Sequence, residues 1–198
     1  MVIKISLVMP TLNRTEQVKM FFESLKNQTY KDFELIVIDQ NSNDYIFRLC
    51  EIYNHFFNVL YIKSNKKGLS LNRNKGIKLI TGNVICFPDD DCEYGINTLK
   101  DVNDFFNITK YDFYNCKVID KSTKKSFGKS LNKGCNIHYF NVMKNCVSIS
   151  IFIKYKKLND IVFDEKLGVG TYFGSGEESD LVLSLLHNGY KGYYYHSK

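Results

Sequence analysis

The sequence predicts an α/β protein built on a mostly parallel sheet sandwiched by helices. Three observations lead there. Short apolar runs alternate with segments of helical period through the first half of the chain. Those runs are apolar on both faces, as strands covered by helices on either side must be. Several of them end on carboxylates or turn residues, at the edge where open α/β sheets place their ligands.

Taken in order, residues 4–9 read as a strand, followed by the turn Pro10-Thr11-Leu12-Asn13. Val18, Phe21, Phe22 and Leu25 then fall at i, i+3, i+4 and i+7, one face of an amphipathic helix. Asn13 with Glu16 three residues on resembles a capping box at its start. Residues 33–39 form a second apolar run, ending on Asp39. After the polar stretch 40–44, residues 45–57 read as helix, 59–62 as strand and 70–80 as helix. The run 84–88, preceded by Gly82 and ended by Pro88, reads as a fourth buried strand. Beyond Gly95 the pattern loosens: helix over 97–108, strand over 113–119, a polar, basic loop or hairpin over 120–134, and strand over 147–155. Glycines 168, 170, 174 and 176 then lead into Glu177-Glu178-Ser179-Asp180, a final helix begins by Leu181, and residues 192–195 read as an edge strand. Neither a repeat nor a clean linker divides the 198 residues. One domain with two packed halves, 1–95 and 96–198, follows.

Composition narrows the function classes. A hydrophobic content of 44% with 24% charged residues suits a water-soluble globular protein. No run reaches the length of a membrane-spanning helix, and the first residues lack the features of a signal peptide. The six cysteines form no CxxC pair, and no paired histidines complete a zinc site. They read as reduced thiols of a cytoplasmic protein. The net charge of +6 gathers in lysines between 117 and 133 and between 154 and 157. Such clusters suit an anionic partner or a membrane surface as well as a plain solvated face. No nucleic-acid-binding module signature accompanies them.

Asp89-Asp90-Asp91 is the most informative feature. Three like charges at a strand's carboxyl end repel one another, and a hard divalent cation would relieve that repulsion and recruit phosphate oxygens. A solvated acidic turn is the alternative. Nearby in the expected fold, residues 68–76 open a helix with Arg73 and Lys75, and a helix amino end with an arginine suits an anion. A base-binding carboxylate at Asp39, an anion-binding helix end and an aspartate cluster together describe a pocket for a nucleotide diphosphate. Each element also has a purely structural reading: Asp39 as a turn cap, Arg73 paired with a surface acid, Ser175 and Glu178 as a capping box.

In order along the chain, these motifs resemble inverting glycosyltransferases of family 2, which have the GT-A fold. The matching residues are Val8 to Arg14, Leu35 to Asp39 with Ser42, Gly68, Arg73 to Ile77, Phe87 to Asp91, Gly176 to Leu181, and Gly189-Tyr190. The resemblance implies a Rossmann-like, mostly parallel sheet with a looser, mixed acceptor-side half. It sets Pro10, Thr11, Asn13, Arg14, Asp39, Arg73, Asp89 and Asp90 against a nucleotide sugar. Within that set Pro10, Thr11 and Asp39 hold the nucleoside, Asp39 accepting the uracil N3–H of a UDP-sugar. Arg73 approaches base and diphosphate, and Asp90 lies nearer the sugar. The implied metal is Mn²⁺ or Mg²⁺, held chiefly by Asp91 and also by Asp89. His196, near the place of a late metal-binding histidine, joins that set or is simply an exposed tail residue. Glu178 matches the general base, with Glu177 and Asp180 as candidates to share its role.

The implied activity is metal-dependent transfer of a hexose or N-acetylhexosamine to a glycan or lipid-linked acceptor. The implied setting is cell-surface polysaccharide synthesis at the cytoplasmic face of a membrane, with peripheral membrane association. Family members usually continue further, so a truncated or minimal acceptor side is expected. Donor, acceptor, linkage and oligomeric state stay open. Two rivals remain: a nucleotide-sugar-binding module without turnover, and a sugar nucleotidyltransferase. The second lacks the basic, glycine-rich loop expected directly after its first strand.

Overall fold

A computed structural model of the protein describes residues 3–127, 133–156 and 161–196. Strands from both halves of the chain join one eight-stranded sheet with the order β3-β2-β1-β4-β7-β5-β8-β6. The strands are β1 (Ile5–Thr11), β2 (Phe33–Asp39), β3 (Asn58–Lys63), β4 (Val84–Cys86), β5 (Phe113–Cys116), β6 (Cys135–Ile137), β7 (Ile151–Lys154) and β8 (Gly192–Tyr195). The helices are α1 (Glu16–Lys26), α2 (Tyr45–Tyr53), α3 (Leu69–Ile77), α4 (Thr98–Ile108), α5 (Val142–Asn145) and α6 (Glu177–His187). Neighbours among β1 to β4 pair parallel, as do β5 and β8, whereas β7 runs antiparallel to β4 and β5, and β6 to β8. The expected parallel sheet with a mixed second half is the sheet observed.

Both faces of the central strands are buried, and alternation assigns each side chain to one of two cores. Leu7, Met9, Leu35, Val37, Val84 and Cys86 pack into one, with α1, α2 and α4. Val8, Ile36, Ile38, Ile85 and Phe87 pack into the other, with residues of α3 and α6. Helix α3 lies against β1 and β2 at close range because Gly76 has no side chain. A Cβ there would stand 2.3 Å from Val8 Cγ1.

Several boundaries differ from the sequence reading. The first helix has Thr15 as its N-cap, with no side-chain capping bond. Asn13 instead adopts a left-handed φ of 59° and gives its N–H to Asn41 Oδ1. Residues 148–150 form a 3₁₀ turn, so β7 begins only at Ile151. Strand β8 is not an edge: β6 covers it, a three-residue strand in a polar stretch that periodicity does not reveal. Part of the basic segment 120–134 and of the lysine cluster 154–157 lies outside the described residues. No described helix is long and apolar enough to cross a membrane, and all six cysteines are free.

Gly76→Ala is expected to destabilise the protein by about 1–3 kcal/mol in urea unfolding through overpacking against Val8. Unchanged or increased stability, as helix propensity alone predicts, would contradict this account of the α3 approach.

Candidate active site

Strands β1, β2, β4, β5 and β8 deliver their carboxyl ends to one edge of the sheet. There the register places Thr11 beside Asp39, and Asp39 beside Lys63. Asp39 is fully buried. Its Oδ1 accepts from the backbone N–H and Nδ2 of Asn41 at 2.9 and 2.7 Å, and its Oδ2 from Tyr61 Oη at 2.8 Å and Lys63 Nζ at 3.1 Å. The sequence expectation has this carboxylate free to receive a nucleobase. In the structure four donors occupy it, and one must give way before a base reaches it. Tyr61 and Lys63 went unnoticed in the sequence, because only the β2–β3 register shows that they face Asp39.

The aspartate triplet is tied back to β1. Thr11 Oγ1 donates to Asp90 Oδ2 at 2.8 Å, and Arg14 pairs with Asp90 at 3.5 Å and also with Asp91. Arg14, expected on the nucleotide sugar, here neutralises the triplet instead. Burial, outweighing the Thr11 and Arg14 contacts, raises the Asp90 carboxyl above the ordinary range. Asp90, expected nearer the sugar, here anchors the triplet to β1. Pro10 is buried in β1, and exposed Asn13 shapes the following turn.

Arg73 corrects the sequence expectation most. Rather than facing a ligand it is fully buried. Its Nη2 reaches Asp89 Oδ1 at 2.9 Å and its Nη1 reaches Glu177 Oε1 at 3.3 Å. The guanidinium lies 5.1 Å from the centroid of the Phe163 ring, which itself packs edge-on against Phe87. Helix α3 also grips the segment leading to α6. Asn74 exchanges hydrogen bonds with the Phe163 backbone, and Ser70 Oγ donates to the Leu167 carbonyl at 2.6 Å. One helix thus fixes the end of β4 and the start of α6 together.

Glu178 occupies the first turn of α6, behind Gly176 in a left-handed conformation. The N-cap makes no side-chain bond, so the Ser175–Glu178 capping box does not form. Burial raises the Glu178 carboxyl, its own backbone N–H opposes, and the Glu177 charge beside it raises it further against Arg73. Glu177 is committed to Arg73, which leaves Glu178 the acid of this pair available for proton transfer. Asp180 stands partly exposed in the same turn.

Asp89 and Asp91 both line a cavity of about 820 Å³ that extends along Cys116 to Lys121 and past Val147 and Ile149. Glu178 sits near Cys146, whose thiol its charge helps to raise, and Cys146 runs directly into that wall. The chemistry of the donors fits a divalent cation. Two hard carboxylates face one cavity, and Mg²⁺-type sites typically take one or two carboxylates and complete the shell with phosphates and water. Burial, and next to it the Glu177 charge, raise Asp89 against the pull of Arg73. His196 follows the end of β8, which lies three strands from β4 in the sheet. Among the described residues no group of three or more His, Cys, Asp or Glu is placed to hold a metal.

Comparison with known proteins extends this geometry. The family model for Glycosyl transferase family 2 matches residues 6–171. The chain is 25% identical over 191 residues to the poly(ribitol-phosphate) β-N-acetylglucosaminyltransferase TarP of Staphylococcus aureus, covering 93% of this chain and 58% of that protein. It is 29% identical over 206 residues to the GalNAc(5)-diNAcBac-PP-undecaprenol β-1,3-glucosyltransferase of Campylobacter jejuni, covering 98% and 62%. It therefore spans about three-fifths of the length of these relatives. The crystal structure of S. aureus TarS 1-349 in complex with UDP-GlcNAc superposes with a TM-score of 0.80 at 21% identity, covering 98% of this chain and 59% of that one. The shared fold is that of the GT-A neighbours.

Arg73→Met removes the cation from between two carboxylates and leaves Glu177 buried without a partner. We expect a loss of about 3–5 kcal/mol in chemical denaturation, with Arg73→Lys recovering less than half of it. A loss under about 1 kcal/mol would contradict the bridging role.

Proposed function

The chain belongs to glycosyl transferase family 2, and on that basis we propose that it transfers a hexose or N-acetylhexosamine from a UDP-sugar to a glycan or lipid-linked acceptor. The observation that carries this reading is the Arg73 bridge, which holds Asp89 of the donor side and the acids of α6 in one fixed relation. UDP as the donor nucleotide is supported by the TarS complex with UDP-GlcNAc. The names of the TarP and Campylobacter relatives support an acceptor in cell-surface glycan synthesis, and the cytoplasmic face of a membrane is the setting proposed with it.

In this reading the nucleoside lies over the β1–β2 edge, among Pro10, Thr11 and the donors gathered on Asp39. Asp91 and Asp89 would hold Mn²⁺ or Mg²⁺, which when bound would stabilise the negative charge of the departing diphosphate, in place of the Arg14 pairing that Asp91 makes here. Glu178 takes the proton of an acceptor hydroxyl, whose oxygen forms the new bond to the anomeric carbon. The bond from that carbon to the diphosphate oxygen breaks, its electron pair leaves with UDP, and the anomeric configuration inverts. A raised carboxyl suits this work, since it is a stronger base once ionised.

Two measurements test the assignment. Slow release of UDP from UDP-GlcNAc is expected with Mn²⁺ and should vanish in Asp91→Ala; pyrophosphate release from a nucleoside triphosphate and a sugar phosphate would overturn the reading. For Glu178→Gln, turnover is expected to fall by roughly a hundredfold or more with UDP binding retained. The same variant has a second signature. A carboxyl raised in the folded state loses stability as pH climbs from its unfolded to its folded pKa, because the native state favours the protonated form. Glu178→Gln should therefore melt higher than the parent at neutral pH, and the difference should close in acid. A lower melting temperature at neutral pH would show that Glu178 is structural.

A further inference from the structure

Part of the cavity wall beside Asp89 and Asp91 is a basic hairpin. Residues 118–127 fold back through Phe127 N–H to the Val118 carbonyl at 2.8 Å and Asp120 N–H to the Lys125 carbonyl at 2.9 Å. Residues 117–127 carry four lysines against one aspartate, half of the chain's net charge of +6. Lys117, Lys121 and Lys124 all line the cavity.

The acids of the same cavity are already compensated. Asp89 pairs with Arg73 and Asp91 with Arg14, and Lys121 pairs with Glu93 at 2.6 Å. Asp120 Oδ1 accepts from the backbone and hydroxyls of Ser122 and Thr123, which hold its carboxyl down at about 2. Lys117 and Lys124 have no acidic partner within ion-pair distance among the described residues. Both line the cavity without an acid of their own, and an anion bound there supplies the missing counter-charge. A carboxylate brings one charge, whereas a phosphomonoester brings about −1.5 to −2.

We propose that this cavity takes an acceptor bearing a phosphate, which Lys117 and Lys124 grip while the reacting hydroxyl lies toward Asp89 and Asp91. The apolar side chains of Val118 and Phe127 on the same wall contact the carbon skeleton next to that phosphate. The proposal rests on the glycosyltransferase reading and names its acceptor class. The phosphate belongs either to a soluble phosphorylated polyol or glycan, or to a lipid head group.

The test uses the full 198-residue chain saturated with UDP and Mn²⁺, so that the donor's own phosphate site is filled. Glycerol 3-phosphate, with glycerol as the neutral control, is titrated by NMR. Vesicles containing phosphatidic acid, a lipid phosphomonoester, are tested against phosphatidylcholine vesicles by co-sedimentation. Salt-sensitive binding of either phosphate probe is expected, weakened roughly tenfold in the Lys117→Gln/Lys124→Gln variant, with UDP affinity unchanged. Binding of glycerol 3-phosphate identifies a soluble source, and binding of vesicles alone a lipid one. The proposal is overturned if neither probe binds, if the double variant binds as the parent does, or if the variant loses UDP instead, which would assign the lysines to the donor. Failure of the parent to bind UDP is a separate result and counts against the transferase reading, not against the phosphate site.

Discussion

The buried guanidinium of Arg73 is the interaction on which the rest of the site depends. Taking a cation out of water is costly, and that cost is offset only when its partners are fixed and close. Here Asp89 and Glu177 satisfy its two terminal nitrogens, and the Phe163 ring covers it, while Nε finds no hydrogen-bond partner among the described residues. The arrangement requires α3 to press onto β1 and β2, which Gly76 permits, and requires the segment after Phe163 to follow α3 rather than solvent. Removing the cation would leave the two acids repelling each other across the space it now fills.

That single constraint joins the two chemistries a glycosyl transfer needs. Asp89 belongs to the strand that delivers the triplet, and Glu177 to the helix turn that carries Glu178. Asp89 and Glu177 carry the bridge, while Asp91 is exposed to the cavity that Asp89 also lines and Glu178 is partly exposed in the first turn of α6. Charge compensation follows the same economy: Arg14 and Thr11 hold Asp90, and the donors on Asp39 quiet a carboxylate that burial would otherwise destabilise. The Arg73 bridge fixes the end of β4 and the start of α6 relative to one another before any ligand arrives, the kind of preorganisation catalysis requires.

Much of this was legible in the sequence. Continuous apolar runs ending on carboxylates identified the sheet and its functional edge, and ordered motifs identified the family. Partnership was not legible. Nothing local to residue 73 shows that its side chain turns inward, because its partners stand 16 and 104 positions away. Likewise Tyr61 and Lys63 matter only through strand register. The expected cap at Asn13 gave way to a distant contact with Asn41, whereas at Ser175 the left-handed Gly176 takes the N-cap position instead.

The central claim is that the carboxyl edge around Asp89 and Asp91 is a metal-dependent nucleotide-diphosphate site. The most direct measurement is a thermal-shift panel of UDP, GDP and their sugars, each with and without Mn²⁺. Ligand that binds only the folded state raises the melting temperature by mass action. A rise with UDP or a UDP-sugar that needs Mn²⁺ is the predicted result. Melting temperatures unmoved by every nucleotide with metal present would contradict it.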